Sequence, residues 1–141
     1  MSITLDQARI IIAATRASGA ELKLKPLSVV VLDAGGHVTA FEREDGSSNK
    51  RFEIAHGKAH GAVALGMGSR AMMNRAETQP YFIAAAGAVA GPLVPVPGGV
   101  LVKNSAGVTI GAVGVSGDTS DNDELAAVAG VAAAGLEAVT G

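Results

Sequence analysis

Residues 27–41 read Leu27-Ser28-Val29-Val30-Val31-Leu32-Asp33-Ala34-Gly35-Gly36-His37-Val38-Thr39-Ala40-Phe41, and this stretch decides the fold class. Leu27 to Leu32 is a short β-branched run and His37 to Phe41 is a second. The Asp-Ala-Gly-Gly between them is turn chemistry, so the layout predicts a β-hairpin. A second hairpin is expected where Val100–Lys103 and Val108–Val115 flank the turn Asn104–Gly107. Before the first hairpin, Thr4 to Ser18 carries Leu5, Ala8, Ile11, Ile12 and Thr15 at helical spacing, with Thr4 as cap, Gln7 three residues on and Gly19 as a stop. Between the hairpins, Arg51 to Met67 reads as a helix despite Gly57, Gly61 and Gly66. Each glycine there costs about 1 kcal/mol against alanine, which predicts close contact with a neighbouring backbone. Ser69 to Ala86 is helical in part and interrupted by Pro80, and Gly91 to Gly99 is an ordered loop or edge segment. Asp121 to Val139 is an alanine-rich helix with Ser120 as its cap and acidic residues at its positive end. Helix, hairpin, helices, hairpin, helix is the order of an α+β domain, an antiparallel sheet with helices layered on it.

Composition narrows the function. The 141 residues leave room for one domain and one core. Absence of cysteine and tryptophan excludes disulfide scaffolds, thiolate zinc sites and cysteine nucleophiles. With 48% hydrophobic and 17% charged residues, the chain is not of the disordered class. A net charge of -2 argues against a nucleic-acid partner, which needs a basic surface. No apolar run approaches the roughly 20 residues of a membrane span, and the amino terminus lacks a signal-peptide layout, so a soluble cytoplasmic domain is expected. No Gly-x-Gly-x-x-Gly or Walker loop is present. The 27 alanines and 19 glycines make a core that buries less area per side chain, at about 25 cal/mol per Å². Burial between subunits compensates for that, which predicts a homo-oligomer.

On a helical wheel of about 100° per residue, Ile54, Ala55, Lys58, Ala62 and Leu65 share one arc, with Lys58 near its centre. A lysine in an apolar stripe either snorkels to water or points into a pocket to meet an anionic ligand. Glu53, His56 and His60 fall on the opposite side, at a spacing that could ligate a metal. No second ligand cluster accompanies them, and the expectation is that they are a solvated face and that no metal is held. Gly98 and Gly99 offer backbone N–H groups suited to a carboxylate or phosphate. Ser116 and Gly117 end a strand ahead of a helix start, another natural anion site. Arg43 and Arg51 flank Glu42-Glu44-Asp45 and either clamp a ligand carboxylate or pair with those neighbours.

Leu32-Asp33-Ala34-Gly35-Gly36 with Phe41 and Arg43, then Ile54-Ala55, Lys58-Ala59 and Ala62, then Pro97-Gly98-Gly99-Val100, and last Ile110-Gly111-Ala112-Val113-Gly114-Val115-Ser116-Gly117 with Asp121 and Asp123 form an ordered set across nearly the whole chain. The set resembles the GlcG/HbpS family, which is similar to the carboxy-terminal domain of PduO-type adenosyltransferases. The resemblance implies an antiparallel sheet of about five strands flanked by helices, a homo-oligomer, and heme as the cofactor in some members. The chain departs from the family pattern after Lys58-Ala59, where His60-Gly61-Ala62 stand in place of a segment that often holds threonine. Two function classes follow. One is a binding module for heme or another small anionic molecule, with Lys58, Arg43 or Arg51 and the Gly98-Gly99 amides on its carboxylates. The other is a small enzyme, a lyase or isomerase, with Lys58 as base or Schiff-base nucleophile.

Overall fold

A computed structural model describes residues 1–141 and sets the two expected hairpins side by side in one sheet. The first is β1 (Ser28–Asp33) with β2 (Val38–Arg43), and the second is β3 (Gly99–Lys103) with β4 (Thr109–Ser116). Strand β1 also pairs with β4, and a fifth strand, β5 (Glu137–Val139), pairs with β3. The order is β2-β1-β4-β3-β5, antiparallel throughout. Helices α1 (Leu5–Glu21) and α5 (Ser120–Ala133) cover one face, and α2 (Arg51–Leu65) covers the other, followed by α3 (Ser69–Thr78) and α4 (Pro80–Ala90). The fold is α+β, as expected.

Because helices cover both faces, β1 is an unbroken apolar run instead of an alternating one. Val29 and Val31 pack with Ile11, Ile12 and Val131, while Val30 and Leu32 pack with Ala55, Ala59 and Ala62 of α2. Small residues set the spacing between layers. A Cβ at Gly114 would lie 2.0 Å from the carbonyl oxygen of Ala55, so α2 rests backbone against backbone on β4. At Gly130 a Cβ would lie 2.0 Å from Thr15 Oγ1, which brings α5 equally close to α1.

Several boundaries differ from the sequence reading. Helix α1 runs through Gly19 instead of stopping at it; a Cβ there would sit 2.7 Å from Leu27 Cδ1, so this glycine serves packing. Helix α2 ends at Leu65, with Gly66 in the left-handed conformation as its cap. Residues 69–90 form two helices, with Pro80 at the first turn of α4, where its missing N–H has no intrahelical role. Thr119, not Ser120, caps α5, its hydroxyl accepting from the Asn122 N–H at 3.3 Å. That helix ends at Ala133, and the chain turns at Gly135 (φ 72°) so that Glu137–Val139 becomes β5. Helix propensity runs through this alanine-rich tail, but the open edge of β3 offers backbone partners that override it. No helix is long and apolar enough to cross a membrane.

Candidate functional site

Lys58 is 2% exposed. Its ammonium donates to the Val115 carbonyl at 2.9 Å and to Asp123 Oδ2 at 3.2 Å. The other Asp123 oxygen accepts the Asp118 N–H at 2.9 Å. Burial pushes the Lys58 ammonium down from its ordinary pKa and the Asp123 carboxyl up, and each charge opposes the shift of the other. The anion required in the apolar arc is therefore supplied by the chain itself, and the pair ties α2 to the end of β4 and the start of α5. Lys58 lines none of the cavities.

The expectation of a free amide is corrected at Gly99, and at Gly98 the backbone is buried. Both glycines are buried, and the Gly99 N–H is donated to Ser69 Oγ at 2.7 Å. A Cβ at Gly99 would lie 2.4 Å from the Lys58 carbonyl oxygen, and one at Gly98 (φ 124°) would lie 2.7 Å from the Val115 carbonyl oxygen. The turn is glycine-rich because α2 lies directly on it.

Arg51, Ser116 and Gly117 do come together. Arg51 donates from Nε to Ser48 Oγ at 3.0 Å and from Nη1 to Ser116 Oγ at 3.1 Å. With Lys25, Pro26, Gly46, Ser47 and Ser48, Arg51 and Gly117 line a cavity of about 190 Å³. Arg43 lies behind it and donates to the Ser47 carbonyl, holding the loop in place. Neither arginine pairs with the acidic loop, because Arg16 of α1 takes Glu42 at 2.6 Å and Glu44 at 3.2 Å. Sequence reasoning passed over Lys25 and Ser47, since nothing in the chain order brings residue 25 beside residue 51. The hydroxyl pair Ser47-Ser48 ahead of a helix start was the one local signal.

The face expected to be solvated is solvated only in part. His56 and His60 are half-buried because Phe41 of β2 and the 91–94 loop close over that side of α2. Ring centroids run Phe41–Phe52 at 4.8 Å, Phe52–His56 at 5.5 Å and His56–His60 at 5.4 Å. Burial, then the neighbouring His60, lowers the His56 pKa. Glu53 takes no part; it is exposed and lies 3.7 Å from Lys50. No three His, Cys, Asp or Glu residues gather as a metal cage. His60 Nδ1 lies 2.8 Å from the Pro92 carbonyl. A carbonyl only accepts, so Nδ1 carries the proton and donates it, and Nε2 keeps a free lone pair.

One helical turn beyond His60, Ala64 and Leu65 form an apolar groove with Phe82, Ala85, Ala86 and Val89 of α4. Its volume is about 360 Å³, and every lining residue is apolar. His60 does not itself line the groove; it stands one helical turn before Ala64, and Ala90 of the groove precedes Gly91, where an added Cβ would lie 3.8 Å from His60 Cε1.

A family model described as haem degrading protein HbpS-like matches residues 3–132. The chain belongs to the HbpS-like family. Among solved structures, this HbpS-like chain is similar to HbpS itself, at 26% identity and a TM-score of 0.82 over 94% of this chain and 89% of that one. It is also similar to Klebsiella pneumoniae protein ORFY, at 26% identity and a TM-score of 0.85 over 94% of this chain and 90% of that one. The PduOC:heme complex shares its fold, with a TM-score of 0.85 and 23% identity over 99% of both chains. No curated protein sequence matches the HbpS-like chain.

Proposed function

We propose that this HbpS-like chain binds heme in the groove between α2 and α4, with His60 as the iron ligand. The observation that carries the reading is the His60 imidazole one helical turn from an all-apolar groove, its Nδ1–H held by the Pro92 carbonyl at 2.8 Å. A metal-ligating histidine donates its other ring N–H in this way, which fixes the ring and raises its basicity. The residues present fit the group. Leu65, Phe82 and Val89 would contact the porphyrin, and Nε2 would meet the iron. Heme, when bound, supplies an iron centre whose behaviour is set by its axial ligand and by the polarity around it. His56, stacked between Phe52 and His60, limits rotation of the ligating ring and excludes water from its inner side. Kinship with HbpS and the shared fold of the PduOC:heme complex support the same reading.

Lyase or isomerase chemistry at Lys58 is disfavoured on geometric grounds. A Schiff-base nucleophile has to reach a carbonyl carbon, and the Lys58 ammonium is enclosed between Val115 and Asp123.

Titration with hemin tests the proposal. The wild-type protein is expected to give a saturable Soret shift at one heme per chain, His60→Ala to lose at least tenfold in affinity, and His56→Ala to lose less. Spectra of His60→Ala that match wild type at every hemin concentration would remove His60 from the site. Following the Soret band under reductant and oxygen then separates stable binding, in which the band persists, from heme degradation, in which it bleaches.

A further inference from the structure

The cavity at the other end of α2 is independent of the heme reading. The 15 residues of this helix span about 22 Å at 1.5 Å each, with His60 and the groove toward one end and Arg51 at the other. Six polar or glycine residues, Lys25, Gly46, Ser47, Ser48, Arg51 and Gly117, make most of its wall, and none of the lining residues is acidic. At about 190 Å³ it holds far more than a single water, whose share of liquid volume is about 30 Å³.

Every carboxylate around this wall except Asp45 is already committed. Glu44 accepts the Leu27 N–H at 2.6 Å and pairs with Arg16. Asp118 accepts from the Asn122 side chain and from the Lys25 and Thr119 amides. Asp123 is bound to Lys58. Arg51 therefore differs from Arg16 and Arg70, each of which is paired with two carboxylates. Its partners are two neutral hydroxyls, and its Nη2 has none.

Two further observations point to an anion. Helix α2 starts on this wall without a side-chain cap, and the Phe52 and Glu53 amides of its first turn have no acceptor in the protein, so two donors are left at its amino-terminal end. Ser47, a wall residue, is 7% exposed, and its hydroxyl is buried without a hydrogen-bond partner. A buried hydroxyl left unpaired is costly, and a turn of the Ser47 side chain into the cavity would let a ligand oxygen satisfy it.

We infer that the Ser47–Arg51 cavity is a binding site for a small oxyanion, a carboxylate or phosphate group, held by the free guanidinium N–H groups of Arg51, the Ser47 hydroxyl and the charge of Lys25. The shared chemistry is a compact, multiply accepting anion; Arg is the side chain suited to it because its planar fork meets two oxygens at once.

The heme-free protein, titrated at constant ionic strength with inorganic phosphate in one series and malonate in another, tests this through amide NMR shifts. Saturable shifts are expected at Ser47, Ser48, Arg51 and Gly117, and the anion that saturates at the lower concentration identifies the source. Arg51→Gln should weaken the saturating anion at least tenfold, and Ser47→Ala should weaken it less. Hemin binding should be unchanged in both variants. Lys25→Gln, on an exposed residue, reads the charge contribution if Arg51→Gln fails to fold. Shifts that grow linearly with both anions, or an affinity for the saturating anion unaltered in Arg51→Gln and Lys25→Gln, would overturn the inference.

Discussion

Lys58 and Asp123 show how one buried pair can look like a ligand site from the sequence. Removing one member of such a pair strands the other charge, at about 3–5 kcal/mol, whereas replacing both is often close to neutral. Lys58→Met is therefore expected to lower the urea midpoint sharply, and Lys58→Met with Asp123→Asn to recover most of the loss, since asparagine can still accept the Asp118 N–H. A wild-type midpoint for Lys58→Met alone would mean that the ammonium is not confined between α2 and α5. His56 carries a pH dependence of determinate sign. Burial, and secondarily the charge of His60, holds its pKa below the ordinary 6.5, so the unfolded chain takes the proton first as pH falls. The stability due to neutral His56 is full above about pH 6.5 and is lost as pH falls from there through the folded-state value. Urea midpoints measured across this range should fall less steeply in His56→Gln than in wild type; parallel slopes would show that His56 does not sense the fold. Residue type alone pointed to Lys58, Arg51, His56 and His60. Which of them were free was not legible, because Asp123 and Pro92 lie 65 and 32 residues away from their partners.

At the scale of elements, glycine has opposite effects in two places. Gly114 lies under α2, and an added Cβ would meet the Ala55 carbonyl oxygen at 2.0 Å. Backbone cannot give way as a side chain does, so Gly114→Ala should cost at or beyond the upper end of the 1–3 kcal/mol (roughly) seen for overpacking. Gly87 sits in α4 with nothing within 4 Å of its added Cβ. Gly87→Ala should stabilise by about 0.5–1 kcal/mol through helix propensity alone. Thermal midpoints that move together in the two variants would refute the close approach of α2 to β4. Both hairpins were legible because their turns are local chemistry. The tail 134–139 was not, since its strand exists only where β3 leaves an edge to pair with.

For the whole molecule, small residues allow three layers to close tightly around thin cores, and they leave α4 outside. Only Ile83 of α4 is buried, while Tyr81 is 70% and Val89 is 89% exposed. The homo-oligomer that the composition predicts would cover this surface, as apolar area on a lone domain favours association. Light scattering at micromolar concentration is expected to give a multiple of the 13.9 kDa chain mass, and Tyr81→Asp, outside the groove, to lower it. A stable monomer in the wild type would remove the expectation.

The sequence by itself determined the α+β class, the two hairpins, the α2 glycines and the set of residues able to carry chemistry, because turn residues, periodicity and side-chain type act over a few neighbouring positions. Only the tertiary structure decided which charges were already satisfied. Lys58 was taken by Asp123, the Gly99 amide by Ser69, and Glu42 and Glu44 by Arg16. Arg51 kept free donors beside an unpartnered Ser47, and His60 kept Nε2. Hydrogen bonds and ion pairs form between whichever groups folding brings within about 3 Å, and that proximity is set by how the sheet and its helices stack, not by spacing along the chain.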